Sequence, residues 1–481
     1  MEKKLKCVLL LSLKEMALRR VAVFFWSDTD ILASISKFRL HEFPTEDSKK
    51  EWLEKIDNKI KDKMLKLELP KSLTKQMIDI VRPIGLEIRR WKKFHQDFFH
   101  EGLFQSSEEI CLPASAKLCW TTAGRIDNKK TAEELVCCGG LDLRNRYELA
   151  CLYCLEDDIP LLWAELPEEQ KEYFCLDDEL LPDLHFCWPH VFKGELTRLD
   201  HLLRGRGKNL TTFNQWAFED SVERGNKIAA EYFFQKLTHE EREASLMRSV
   251  HSVLADSEEV YCLAERLTDV LCYLLSLMTP EQQMETIRAH PVNLLLCFLH
   301  WPWQDLLLEN AGLIWTFLPP RGYDDLLQKM TDIFRRYFPI SFREFFVQSP
   351  LDFKKYFVES HFGFINACRF LSLFFRYEDS ESIEVMFRNV DSADKVKLVF
   401  HSDVLQLFYK SILRDRWHMV AVCLREAALS KEDRERLKDT FTGFFERSGN
   451  GECVNRKFKR FFEFLDETDA SADKLKESSE T

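Results

Sequence analysis

Glycine and proline are scarce, 15 of each in 481 residues, about half their usual share. So few turn formers exclude most β-sandwich and barrel designs, which need a turn every 8 to 12 residues or so. No apolar run approaches the roughly 18 residues a membrane-spanning helix requires. No surplus of positive charge exists: 68 Lys and Arg face 80 Asp and Glu, a net charge of −12. A chain of that sign without a strongly basic block is poorly suited to nucleic acid. Sequences of the G-x-S-x-G, H-E-x-x-H, dinucleotide-binding and kinase types are also missing, and with them the common local signatures of catalysis.

What is present is apolar bulk. Hydrophobic residues make up 45% of the chain, with 39 Phe. That composition is globular, and it demands a large buried surface. The 15 Cys are odd in number and mostly scattered through apolar helical patterns, as at Cys262, Cys272, Cys297, Cys368 and Cys423. Secreted disulfide scaffolds are short and cysteine-dense, so these read as reduced thiols used as small core hydrophobes. Near the N-terminus Lys3, Lys4 and Lys6 precede the apolar run Cys7 to Leu13. The run is short, broken by Ser12, and followed by Lys14 and Glu15 with no small-residue cleavage site. A helix continuing into the fold is expected there. The sequon Asn209-Leu210-Thr211 carries little weight in a cytoplasmic chain.

Helical periodicity runs through the sequence. Trp52, Ile56, Ile60 and Met64 form one apolar stripe on a charged segment that Pro70 closes. A second helical stretch covers 73–99, with a kink expected at Pro83-Ile84-Gly85. Regularity falls off over 102–142, with Gly139-Gly140 as a break. Beyond residue 145 the pattern becomes repetitive. Helices ending at Leu166, Leu237, Met278, Leu318, Phe375 and Leu429 serve as anchors, at spacings of 71, 41, 40, 57 and 54 residues, of which two agree near 40 and the longer ones imply insertions. Ala229, Tyr232, Phe233, Lys236 and Leu237 lie on one helix face. Val270, Tyr273, Leu274, Leu277 and Met278 repeat those offsets, as do the sets Ala367 to Phe375 and Ala421 to Leu429. Leu161-Leu162-Trp163 to Leu166-Pro167 matches Leu313-Ile314-Trp315 to Leu318-Pro319. Exits from the helices carry N-cap signatures at Thr238-His239-Glu240-Glu241, Thr279-Pro280-Glu281-Gln282 and Ser430-Lys431-Glu432-Asp433. Entry is marked by Glu223-Arg224-Gly225-Asn226, where Gly or Asn supplies a left-handed turn. His361-Phe362-Gly363-Phe364 occupies the matching place in a later unit.

The segment from Trp216-Ala217-Phe218 through Gly225-Asn226 to Ala230-Glu231-Tyr232-Phe233 resembles the helix–turn–helix of an ankyrin repeat. The Thr-Pro-Leu-His signature of that family and its Gly-rich hairpin loop are missing, and the spacing near 40 is closer to HEAT or armadillo arrays. The resemblance implies an α-solenoid that binds proteins on a concave or ridge surface.

Candidate chemistry is sparse. Cys151-Leu152-Tyr153-Cys154, with Cys175, His185, Cys187 and His190 downstream, holds the ligand types of a zinc site. The second half lacks a standard spacing. Cys151 and Cys154 are expected at i and i+3 of a helix, packed inward as core cysteines; zinc and a redox pair are the alternatives. Gly205-Arg206-Gly207-Lys208 lacks the Ser/Thr that follows a phosphate loop and reads as a solvated loop. His300-Trp301-Pro302-Trp303 reads as packing. Arg456-Lys457-Phe458-Lys459-Arg460-Phe461-Phe462-Glu463-Phe464-Leu465 alternates base and aromatic, a pattern that suits single-stranded nucleic acid or an anionic membrane. Read as a helix, it turns Phe458, Phe461, Phe462 and Leu465 inward as a terminal cap.

These readings converge on an all-α chain, an α-solenoid of degenerate helical repeats. The expected layout is an N-terminal helical region over 1–105, an irregular connection over 106–144, a repeat array over 145–465 and a disordered acidic tail over 466–481. The expected function is a non-catalytic, cytoplasmic protein–protein interaction scaffold with no cofactor, metal, catalytic residue, nucleic acid or membrane partner. An enzyme without a recognisable motif and a host-directed interaction protein are the alternatives.

Overall fold

The computed structural model describes residues 4–36, 51–100, 117–175, 183–205, 212–256, 264–331, 339–359, 361–448 and 457–466. The fold is all-α, 78% helical. Among the described residues no strand occurs, only an isolated antiparallel bridge between Trp120 and Ile126. No described helix is long and apolar enough to cross a membrane. The chain divides into two compact units, Met1–Asn293 with His300–Leu306 and Leu294–Leu299 with Leu307–Thr481.

In the first unit, helix Leu13–Trp26 packs on the 30-residue helix Lys71–His100. Ser12 and Glu15 form a reciprocal capping box at the start of the former. At its other end Trp26 is 1% exposed and donates from Nε1 to the Val81 carbonyl at 2.8 Å. Gly85 is what admits the indole: a Cβ there would stand 2.1 Å from Trp26 Cζ2. The long helix continues through Pro83. The stripe expected on the preceding segment is observed, with Trp52, Ile56, Ile60 and Met64 all buried. Within the stretch read as irregular, residues 128–137 are helical, capped by Asp127, which accepts from Lys130 N.

A turn recurs through both units. Cys154, Gly194, Gly225, Glu378 and Asp415 all have positive φ, between 52° and 75°. In each case the next residue donates its N–H to the carbonyl five positions earlier: Leu155 to Ala150, Glu195 to His190, Asn226 to Ser221, Asp379 to Phe374 and Arg416 to Ser411, at 2.8–2.9 Å. This left-handed closure satisfies carbonyls that the end of a helix leaves unpaired. The following helix starts at once after four of these turns, at Leu196, Lys227, Ser380 and Trp417. Asn226 and Asp379 cap theirs by accepting from Ala229 N and Ser382 N.

The turn also sets the packing register of the helix it launches. Five residues after the left-handed position stand Ile159, Leu199, Ala230, Ile383 and Val420, all buried. Eight after it come Leu162, Phe233, Met386 and Cys423, and twelve after it Leu166, Leu237, Val390 and Ala427, again buried. At the second turn Leu203 takes the inward place and Leu202 is part-exposed.

Three sequence expectations change here. The left-handed turn does not depend on Gly, since Cys154, Glu378 and Asp415 adopt it. Gly363, expected in such a turn, lies inside helix His361–Tyr377. In the stripe assigned to Ala421, Leu424, Arg425, Ala428 and Leu429, Leu424 and Leu429 are buried but Arg425 and Ala428 are exposed; counted from the turn, Cys423 and not Arg425 stands where Phe233 does, so the assignment is two residues out of step. Ala421 and Ala428 are as small and apolar as the alanine that packs, so composition alone could not choose the register.

The Phe load is absorbed by aromatic packing. In the second unit Phe342, Phe346, Phe357, Phe370 and Phe374 form a connected cluster with ring centroids 5.1–6.4 Å apart. Residues 457–466 form a helix whose Phe458, Phe461 and Leu465 are buried, with Phe462 half-buried and Lys459 and Arg460 outward. Phe441 and Trp417 cover its apolar face. Of the tail expected over 466–481, Asp466 belongs to this helix and 467–481 lie outside the described residues; Gly205 of the basic turn ends helix Leu196–Gly205, and 206–211, with the rest of that turn and the sequon, also lie outside.

Replacing Gly85 by Ala is expected to destabilise the protein by about 1–3 kcal/mol through overpacking, against the small gain that Ala brings to a helix. Urea unfolding followed by tryptophan fluorescence measures this. A variant more stable than the parent would contradict the Trp26–Gly85 contact.

Candidate functional site

The cysteine-rich segment folds into a closed core. Helix Leu143–Leu152 starts from Asp142, which accepts from Asn145 N at 2.9 Å. Cys151 lies in its last turn, whereas Cys154 lies beyond the helix in the left-handed turn. The two therefore do not share a helix face as the spacing suggested, although both are buried. Helix Leu184–Phe192 brings His185, Cys187 and His190 into the same region, and Cys175 ends helix Glu168–Phe174. Trp188 Nε1 donates to the Cys151 carbonyl at 3.1 Å and the Tyr147 hydroxyl to the His185 carbonyl at 3.1 Å. His190 Nδ1 lies 2.8 Å from Glu195 Oε2. Burial raises the Cys151 and Cys154 thiols and lowers His185 to about 4. Thiolates, the form that binds zinc or attacks a disulfide, are thus disfavoured. Among the described residues no group of three or more His, Cys, Asp and Glu is placed to hold a metal ion.

One acid in this core titrates near neutrality. Glu148 is 5% exposed, and burial pushes its carboxyl up to about 7 although Arg144 Nε donates to it at 2.9 Å. Arg144 spreads over the rings of Tyr173 and Phe174, at 4.6 and 5.7 Å.

A second polar centre has no local signature in the sequence. Arg125, on the tight turn between Trp120 and Ile126, donates from Nε to Glu87 at 2.7 Å and from Nη2 to Asp269 at 2.8 Å. Those partners are 38 and 144 residues away. Its guanidinium lies over Trp303, 4.7 Å from the ring centroid, and Arg266 lies over Phe94 at 3.2 Å. Beside them His95 Nδ1 lies 2.7 Å from the Trp91 carbonyl and Nε2 lies 2.8 Å from the Tyr153 hydroxyl. The pairing assigns the proton to Nδ1, which leaves Nε2 to accept from Tyr153. Desolvation lowers His95 and His300 to about 3, so both are neutral across the physiological range. Trp301 and Trp303 are buried, Arg19 lying over Trp301 at 5.1 Å. The His300-Trp301-Pro302-Trp303 segment is therefore packing, as its composition suggested. The centre works as an electrostatic clamp between a long helix, a turn and helix Ala264–Leu277; neutral histidines with protons held near pH 3 are poor acids and bases at neutral pH.

Outside the buried stripes, the helices launched by the recurring turn present polar rows. In the first unit Gln235 and Lys236 are exposed and Glu231 is half-buried, with Lys227 3.4 Å from Glu231. In the second unit Arg388 Nε pairs with Glu426 at 2.9 Å, and Glu384 accepts from both Arg388 and Arg425 at 3.1 and 3.4 Å. No protein-family model matches the chain, and no curated protein matches it either.

Two expectations follow. Arg125→Met removes the cation shared by Glu87 and Asp269, leaving buried Glu87 only Arg90 at 3.8 Å, and should cost about 3 kcal/mol, read as a lowered urea midpoint. Glu148 holds its proton more tightly folded than unfolded between its ordinary value of 4.5 and about 7. The stability it contributes is complete below that window and falls as pH rises through it. Thermal melts of the parent and Glu148→Gln at about pH 5 and about pH 8 should show the parent losing ground to the variant at the higher pH. Equal shifts for both would contradict the burial of this carboxyl.

Proposed function

We propose that the chain is a non-catalytic protein–protein interaction scaffold, an α-solenoid of degenerate helical repeats with ankyrin-like helix pairs. The observation that carries the reading is the recurring left-handed turn, which in four of five cases precedes a helix with inward residues at the same three offsets. Five unrelated local sequences adopting one closure, four of them with one register, fit a repeated structural unit. Such units bury their apolar faces against neighbours and leave an extended outer surface. The polar rows at Glu231, Gln235 and Lys236, and at Glu384, Arg388 and Arg425, supply that surface. Lowered histidines and raised thiols in the cores also favour packing over chemistry. A reducing, cytoplasmic setting fits cysteines used as core hydrophobes.

The test separates stability from binding. Phe233→Ala should cost about 3–5 kcal/mol by leaving a cavity. Gln235→Lys with Lys236→Glu, and Arg388→Gln with Arg425→Gln, should melt close to the parent, each exposed pair contributing less than about 1 kcal/mol. In affinity capture from a native lysate with mass-spectrometric identification, at least one surface variant should lose a protein that the parent retains. A Phe233→Ala variant that melts like the parent would refute the register, and capture unaltered by every surface change would remove the scaffold reading.

A further inference from the structure

Among the described residues, the three most exposed large apolar side chains lie in one short stretch, with Val8 beside them. Leu10 is 87% exposed, Leu13 82%, Phe24 75% and Val8 66%. On helix Leu13–Trp26, Leu13, Ala17, Arg20 and Phe24 fall at i, i+4, i+7 and i+11, a single outward stripe. Ahead of the helix, burial alternates. Leu5 is buried, and Cys7, Leu9 and Leu11 are half-buried, while Lys4, Lys6, Val8 and Leu10 face out. The stretch is held to its unit: Leu5 N donates to Gln283 Oε1 at 3.0 Å, and Arg19 Nη1 donates to the Ala123 carbonyl at 2.8 Å.

Charge is distributed with the same bias. Between residues 4 and 24 Lys4, Lys6, Lys14 and Arg20 are exposed cations, and Glu15 is the one acid in that sequence, engaged in the capping box with Ser12. The rest of a chain of net charge −12 has the opposite balance. We propose that this face docks on an anionic lipid surface, with Val8, Leu10, Leu13 and Phe24 entering the headgroup region and the lysines and Arg20 meeting the lipid charge.

Two features select this occupant over a protein groove or a second copy. A groove half-buries its apolar lining, whereas these side chains protrude almost fully and have the shape of a wedge that enters a soft interface. Cations set among them match a surface that is negative outside and apolar beneath, the combination that interfacial helices use. The apolar pattern near Cys7 to Leu13 therefore takes a role at a membrane surface without crossing it. It also revises the expectation of no membrane partner, which rested on the absence of a spanning helix.

The experiment is co-sedimentation of the full untagged chain with phosphatidylcholine vesicles, with and without phosphatidylserine, at low and raised salt. Binding should be at least about tenfold tighter with phosphatidylserine and should weaken as salt rises. Leu10→Ser/Leu13→Ser/Phe24→Ser and Lys4→Glu/Lys6→Glu/Lys14→Glu should each fall to the level seen with phosphatidylcholine alone. Both alter exposed positions, and unchanged helix content and melting midpoint confirm that they fold. Equal or absent sedimentation of the parent on the two vesicles overturns the proposal. So does phosphatidylserine binding that neither variant changes. Light scattering that shows a parent dimer made monomeric by the serine variant, without vesicle binding, assigns the face to a second copy and overturns it too.

Discussion

A helix that reverses within three residues must dispose of its last carbonyls, and the left-handed closure at Cys154, Gly194, Gly225, Glu378 and Asp415 is how this chain does so. Much else depends on it. The 6→1 hydrogen bond fixes where one helix stops, and the next residue but one begins another in four of the five cases. Because the launch point is fixed, so is the angular position of every later residue on the new helix. Leu199, Ala230, Ile383 and Val420 are inward for the same geometrical reason, although they differ in size. Three of the five positions place a non-glycine residue at positive φ, a conformation that is unfavourable for a side chain. They are held there by a closure whose hydrogen bonds and flanking helix packing outweigh the local cost.

The centre around Arg125 is a constraint of another kind. The turn joins pieces adjacent in sequence; Arg125 joins pieces far apart, taking Glu87 from one helix and Asp269 from another. Buried ion pairs often add little net stability over an apolar substitute, because desolvation offsets the attraction. Their effect is sharper on alternatives: a packing of these helices that separated Arg125 from both carboxylates would leave its own buried guanidinium without an anion. Trp26 against Gly85 restricts the same long helix sterically. A polar and a steric requirement thus act on one element, two turns of helix or less apart.

Legibility in the sequence followed the range of each interaction. Trp52, Ile56, Ile60 and Met64 could be read because a stripe is a local periodicity, and Thr238 and Thr279 because a cap is completed within three residues. Gly225 was readable because glycine advertises positive φ. Glu378 and Asp415 were not, since nothing in their chemistry distinguishes them from the acids on any exposed helix, and Cys154 was assigned to the helix it ends. Gly363 misled in the opposite sense, a glycine carried inside a helix. For the helix at Trp417–Ala427 the scatter of small apolar residues permitted two registers two residues apart, and the turn at Asp415, unseen in the sequence, decides between them. Glu87, Arg125 and Asp269 gave no signal, because a contact across 144 residues leaves no periodic trace in one sequence.

The division between inward and outward positions has a consequence for how such a chain can change. After four of the five turns the residues five, eight and twelve places on are buried, and they range in size from Ala to Phe. Glu231, Gln235, Glu384, Arg388 and Arg425 are bound by no such condition. Their pairs are exposed and weakly stabilising, so the backbone register does not depend on which charge stands there. Five turns of one geometry stand on Cys, Gly, Gly, Glu and Asp, so the closure is fixed by backbone hydrogen bonds and not by the type of residue that adopts it.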